Sequence, residues 1–482
     1  MAELPFFGHV IDGVEVDSVD GARFSSVDPW TRETWAEIAL GSTVDADRAV
    51  AAARRAFDEG PWPRMTFVER GAILNRLADL MEQHADELAL ADTRDMGKPI
   101  TQSKGNDVLR SAYNFRFFAD HARLSTADTL PMDSRHHAYT RFEAAGVVAA
   151  IAPWNFPLML ETWKVAPALA WGNTVVLKPA EDTPTSATIL ARLAIEAGMP
   201  AGVLNVVHGY GPDSAGQALT ENPDVDRITF TGESGTGRII ARAGAANLTP
   251  VSLELGGKGA NIVFADADLD NAVSWSVRAI FTNAGQVCLA GSRLFVQRDI
   301  YDEFLSRFVA AAEAMVIGDP KDPATQFGPL ASEEHYNKVK SYVDSVELEG
   351  GKIRTGGLGD GWLVRPTVVT DIPLTARHVC EEIFGPLVVV TPFETEAEAV
   401  RLANSTPYGL NAMLFSENLS RAHRVSAALK AGTVWVNCFF IRDLRAPFGG
   451  VGDSGIGREG GNFSREFFTE PKAVIMQLAE HE

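Results

Sequence analysis

Cysteine is scarce: Cys288, Cys380 and Cys438 are the only three in 482 residues. An odd, thinly spread set makes no disulfide framework, and the spacings match no zinc pattern, so no metal site is expected. Long apolar runs are missing too. No stretch reaches the ~18–20 uninterrupted apolar residues of a bilayer span. The longest, residues 144–154, contains Pro153 and reads as buried strand. The start, MAELPFFGHVIDG, has neither a basic region nor a long apolar stretch, so no secretory leader is expected. Positive charge is in the minority, 43 Lys and Arg against 63 Asp and Glu, for a formal net charge of −20. Such a chain repels a phosphate backbone. A cytoplasmic protein is therefore expected, with neither nucleic acid nor membrane as partner.

What is present is ordinary globular composition, 46% hydrophobic and 22% charged, in a chain too long for one core. Helical spacing runs through residues 44–57, 66–96 (as two helices) and 101–121. From residue 173 short β-rich runs at 173–178, 204–207, 227–230 and 251–255 alternate with helical runs at 184–197, 213–221 and 234–243. That order predicts a parallel sheet with helices on both faces. A second alternation follows, with strands at 261–264, 293–296, 387–392, 412–415 and 433–437 between helices at 269–283, 301–315, 396–403 and 419–429. Residues 350–361 are Gly-rich without periodicity and read as a surface loop. The apolar run 472–478 reads as a strand pairing either within its own chain or with a partner subunit.

Several residues invite chemistry. Cys288, in NAGQVCLAGSR, follows a helix in a turn of small residues that leaves a thiol accessible and offers backbone N–H groups to an anion. Its free thiol is mostly protonated at neutral pH, so a nucleophilic role needs local activation; the plainer alternative is a small buried hydrophobe. Glu254, in LELGGK, ends a buried strand, where a carboxylate is costly unless used or paired. It suits a general base or a structural ion pair. Asn155, in PWNFP, offers an amide to an oxyanion or is a turn asparagine. Lys178 and Glu181, in LKPAE, follow the first strand of the predicted sheet, at the end where nucleotides bind. FTGESGTG, residues 230–237, opens a helix with glycines that admit a phosphate, although it is not GxGxxG.

Taken together, PWNFP, LKPAE, FTGES, LELGGK, GQVC, EEIFGP and PFGG resemble, in order and spacing, the aldehyde dehydrogenase superfamily across nearly the whole chain. The resemblance implies an α/β protein with a Rossmann-like NAD-binding domain, an α/β catalytic domain and a small β oligomerisation arm. The implied NAD-binding domain is 1–123 with 143–255, and the thiol domain is 256–436. The arm is 124–142 with 465–482; residues 437–464 return to the NAD domain and form the substrate mouth. A homodimer or homotetramer is the implied assembly. Cys288 is then the nucleophile that attacks the aldehyde, and the Asn155 side chain with the Cys288 N–H holds the oxyanion. NAD takes the hydride, and Glu254 activates the water that hydrolyses the thioester. Relatives that pass the acyl group to coenzyme A differ at the Glu254 position, so the free acid is the expected product.

For the cofactor, the resemblance places Lys178 and Glu181 at the adenine ribose, where Glu181 favours NAD over NADP. It places Glu382 and Phe384 at the nicotinamide ribose and ring, Trp154 along the groove and Gly232 at the pyrophosphate turn. Many relatives carry serine after that glycine; here it is Glu233, whose carboxylate is unfavourable beside phosphates and is expected to turn away. Ser234 is the expected substitute, as a helix N-cap hydroxyl.

LRSAYNFRFFAD, NCFFIRDLRAPFGG and SGIGREGG are similar to the muconate-semialdehyde branch of that family, which includes the 2-hydroxymuconate, 2-aminomuconate and carboxymethyl-hydroxymuconate semialdehyde dehydrogenases. Such substrates carry a carboxylate away from the aldehyde, and arginine offers it a bidentate fork. Arg110 and Arg442 match the branch's substrate arginines; ordinary ion-pair roles are the competing reading, and Arg445 is the alternative fork. A general aliphatic or betaine aldehyde dehydrogenase fits less well, because a cationic aldehyde calls for an aromatic cage. A catalytically silent structural relative has no reason to keep Cys288, Glu254, Asn155 and Glu382 together.

Overall fold

The runs Val147–Ile151, Thr174–Lys178 and Arg227–Thr231 are buried on both faces, as strands between two layers of helix are. The computed structural model describes residues 4–478 and places these strands at the centre of an eight-stranded sheet. Its parallel part runs Val251–Glu254, Arg227–Thr231, Val147–Ile151, Thr174–Lys178, Leu204–Val206. Antiparallel strands close the sides: Gly455–Ile456 at one, His9–Ile11 and Val14–Val16 at the other.

The chain builds outward from Val147–Ile151 to Leu204–Val206, then crosses to the other side of Val147–Ile151 for Arg227–Thr231 and Val251–Glu254. Such a reversal opens a crevice at the carboxyl ends of the strands. In sheet order that edge carries Glu254, Gly232, Trp154 with Asn155, and Lys178. Helices Phe67–Gln83, Ala85–Met96, Leu109–Arg123, Pro157–Ala170 and Thr185–Glu196 cover one face; Thr43–Asp58, Ala215–Glu221 and Ser234–Asn247 cover the other. Local signals start them: Thr66 accepts from the Glu69 N–H while Glu69 accepts from the Thr66 N–H, a reciprocal cap.

A seven-stranded sheet follows, in the order Lys352–Leu358, Val364–Thr370, Leu387–Phe393, Arg293–Gln297, Ala260–Val263, Asn411–Phe415, Thr433–Val436. Only residues 255–259 separate it from Glu254. The two sheets touch through this link: a Cβ on Gly257 would lie 2.5 Å from the Cys288 carbonyl, and one on Gly256 would lie 2.1 Å from the Glu382 carboxylate. No other residue type fits there without a shift. The carboxyl edge of the first sheet thus faces the amino edge of the second, where Cys288 precedes Arg293–Gln297 and Glu382 precedes Leu387–Phe393.

The terminal strand Thr469–Gln477 pairs antiparallel with His136–Ala144 of its own chain, which also holds Thr129–Leu130. Residues 479–482, the end of the expected arm, lie outside the described residues. Among the described residues no helix is long and apolar enough to cross a membrane.

Three expectations need correction. Residues 350–361 are not loop throughout: Lys352–Leu358 is an edge strand against Val364–Thr370, with register shifts at Ile353/Thr355 and Thr355/Gly357. Those irregularities erase the period-2 pattern. The helix at 269–283 stops at Phe281, because Asn283 and Ala284 turn left-handed (φ 51° each). Helix 101–121 is interrupted by a π-helical turn, Ser103–Val108, before Leu109–Arg123. Before residue 43, where no element was expected, five short strands occur between Phe6 and Ala39.

Candidate functional site

The left-handed pair Asn283–Ala284 swings the chain out of its helix and into the interface between the sheets. Gly285 follows at φ 71°, where a Cβ would strike the Gly385 carbonyl at 2.4 Å. The turn is clamped from the first sheet: the Asn155 amide donates to the Gln286 carbonyl (2.9 Å), and the Asn283 amide donates to the Asn155 carbonyl (2.7 Å). Cys288 emerges half-buried from it. Burial pushes its thiol up to about 12, helped by Glu382 and Glu254 and opposed by Arg442. In this state it is a thiol, not a thiolate.

Glu254 is 3% exposed, and neither carboxylate oxygen has a hydrogen-bond partner among the described residues. Burial first and Glu459 second hold its carboxyl well above the usual range, while Lys164 and Arg442 pull the other way. Unpaired buried carboxylates are costly, and sites of reaction are where such cost persists. Sequence reasoning missed the neighbours behind it. Lys164 Nζ donates to Glu459 (3.0 Å) and to the Thr229 hydroxyl (3.1 Å), all buried. A signal was present: Glu161, Thr162 and Lys164 are polar positions in the mostly apolar helix PLMLETWKVAPALA.

At one end of the crevice Glu382 accepts from the Gly257 N–H (2.7 Å), and burial still lifts it to about 7. Trp154 and Phe384 meet edge to face at 5.2 Å; Phe384 has φ 61°, and its carbonyl sits 2.8 Å from the His335 ring nitrogen. At the other end Lys178 is buried, 3.6 Å from Glu181, with its pKa lowered chiefly by desolvation. Gly232 lies between these ends in sheet order. Carboxylates at both ends and a glycine turn between them match the two ribose diols and the pyrophosphate of a dinucleotide, so the donor set fits that group.

Beside the turn, Glu233 points away and pairs with Lys338 at 3.0 Å. The Ser234 expectation is corrected. Glu233 occupies the N-cap position, and the Ser234 hydroxyl donates to the Asp453 carbonyl (2.8 Å) instead of capping the helix.

Arg442 lies close enough to Cys288, Glu254 and Arg110 for their charges to act on it. Desolvation first, and Arg110 second, lower its pKa to about 10. Arg110 is half-buried and makes one side-chain hydrogen bond, from Nε to Asn114 (3.2 Å). Arg445 is no fork: exposed, it is taken up by Asp443 at 2.6 Å.

The sequence model of the "Aldehyde dehydrogenase family" matches residues 16–474. The chain is 49% identical to a 2-hydroxymuconic semialdehyde dehydrogenase of Pseudomonas sp. (strain CF600), over 98% of this chain and 99% of that protein. It is 44% identical to a 2-aminomuconic 6-semialdehyde dehydrogenase of Pseudomonas sp., over 98% of each. Among solved structures, the NAD+ complex of an aldehyde dehydrogenase from Bacillus cereus superposes with a TM-score of 0.96 at 40% identity, covering 98% of this chain and 97% of that one.

Proposed function

The chain belongs to the aldehyde dehydrogenase family, and from that premise we propose that it oxidises a carboxylate-bearing semialdehyde of the 2-hydroxymuconate or 2-aminomuconate 6-semialdehyde type to the diacid, with NAD. The observation that carries the substrate is the pair Arg110 and Arg442. Arg442 lies close enough to Cys288 and Glu254 to act on both, Arg110 lies close enough to Arg442 to repel it, and no carboxylate forms an ion pair with either arginine among the described residues. Two desolvated cations without a counter-ion are costly, and a bound carboxylate relieves that cost.

The Cys288 thiol gives its proton to solvent water, and the resulting thiolate attacks the aldehyde carbon, giving a thiohemiacetal. The Cys288 N–H and the second N–H of the Asn155 amide, whose first is held by Gln286, stabilise the oxyanion. Lys178, Glu181, Gly232, Trp154, Glu382 and Phe384 would hold NAD, which when bound would supply the hydride acceptor needed for oxidation of the thiohemiacetal to a thioester. Glu254 then takes a proton from water, and the hydroxide equivalent displaces the thiolate. Its raised pKa makes the ionised carboxylate a strong base, and its unpaired oxygens leave it free to accept that proton.

In this reading residues 1–123 and 143–255 are the NAD-binding domain and 256–436 the thiol domain. The arm pairs subunits of a cytoplasmic homodimer or homotetramer. The test is a substrate panel with NAD: 2-hydroxymuconate 6-semialdehyde should exceed acetaldehyde and betaine aldehyde in kcat/KM by about two orders of magnitude, roughly what a charge-assisted fork supplies. A simple aldehyde in first place leaves the Cys288 chemistry standing and removes the semialdehyde assignment.

A further inference from the structure

Arg442 sits in a loop that is bent and tethered. Asn437 (φ 55°) and Phe440 (φ 62°) are left-handed, and the Trp435 indole N–H donates to the Ile441 carbonyl at 2.8 Å, immediately before Arg442. Non-glycine residues hold such conformations only where the surroundings impose them. Among the described residues the guanidinium makes neither hydrogen bond nor ion pair. Its contacts are instead two aromatic rings. The Cζ atom lies 3.9 Å from the Phe448 centroid and 4.8 Å from that of Trp163. The rings come from different parts of the chain, Trp163 from helix Pro157–Ala170 and Phe448 from the segment paired with Glu459, and both are buried.

We propose that Trp163 and Phe448 are positioning residues that hold Arg442 by its π faces, leaving its N–H edge free for the substrate's carboxylate. This rests on the substrate reading above. The physical logic is one of competition. A carboxylate partner, such as the one Asp443 gives Arg445, fixes an arginine by consuming the donors the substrate needs. An aromatic ring attracts the cation through its quadrupole and consumes none of them. The clamp also explains how a half-buried guanidinium is kept without a counter-ion while Glu254 and Glu459 lie nearby. A guanidinium free to swing onto Glu254 would neutralise the carboxylate that has to receive a proton.

The test keeps shape constant and removes only the quadrupole. Phe448 is replaced by difluoro- and pentafluorophenylalanine, and Trp163 by fluorinated tryptophans, with R442M alongside. KM and kcat are measured with 2-hydroxymuconate 6-semialdehyde and with hexanal. KM for the semialdehyde should climb stepwise with fluorination, to about tenfold for the pentafluoro ring. Its kcat, and both constants for hexanal, should stay within about twofold. A flat series while R442M abolishes the preference overturns the clamp and leaves the substrate reading. If R442M itself leaves the preference intact, the substrate reading falls and the clamp falls with it. Equal losses on both substrates mean that the rings act on any aldehyde and not through Arg442, which also overturns the proposal.

Discussion

The two sides of Cys288 handle charge in opposite ways. On the cofactor side charged groups have partners within the chain: Glu382 on the Gly257 N–H, Glu233 on Lys338, Lys178 beside Glu181. On the side proposed for the substrate, Arg442 has only aromatic rings among the described residues, and Arg110 spends one N–H on a neutral amide. A dinucleotide brings diols and a pyrophosphate, which the residues proposed to hold it would meet with hydrogen bonds and a backbone turn. A semialdehyde with a distal carboxylate brings a full negative charge, and unpaired cations give it what water otherwise provides. Charges left unpaired in a folded protein are therefore more informative about a missing ligand than charges already spent.

The two sides should separate most sharply in variants at their shared centre. Glu254→Gln should slow turnover by about 10²–10⁴-fold while leaving a stoichiometric burst of NADH, because the base is needed after hydride transfer. A variant without a burst would place Glu254 before the thioester. The pH dependence carries the same information. A carboxyl held well above its usual range must lose its proton to act as base, so deacylation should rise with pH through a limb far above the ordinary carboxylate range. That limb should vanish in the glutamine variant. A limb in the ordinary range means that the buried, unpaired state is not the working one.

A smaller effect tests the cofactor side. Glu181→Ser should raise kcat/KM with NADP by about tenfold, since a 2′-phosphate no longer meets a carboxylate. No gain would place the discrimination elsewhere. The smallest concerns Glu233. An exposed ion pair is worth only about 0–1 kcal/mol, so freeing Lys338 by Glu233→Gln should lower KM for NAD by no more than about fivefold. A rise in KM would mean that the carboxylate supports binding.

The alternating strands and helices of both sheets were legible in the sequence because their strands are buried on both faces and stand out as apolar runs. The strands before residue 43 were not: runs such as RFSSVD mix polar and apolar residues at a half-exposed edge. Lys352–Leu358 hid behind its bulges. Cys288, Glu254 and Asn155 were legible through motif spacing, and the structure brings them to one interface. Lys164 and Glu459 were not assigned, because their pairing joins residues far apart in the chain. The resemblance pointed to Arg442 and left Arg445, three residues on in the same loop, as the alternative. Only the fold shows one against two rings and the other spent on Asp443.

The most direct test of the substrate claim is one ratio: kcat/KM for 2-hydroxymuconate 6-semialdehyde over that for acetaldehyde, in the native protein and in R110M/R442M. A native ratio above about 10² that collapses to within about tenfold of unity in the double variant, through loss on the semialdehyde alone, is the predicted result. A ratio that survives removal of both arginines, or falls because acetaldehyde turnover changes equally, contradicts it.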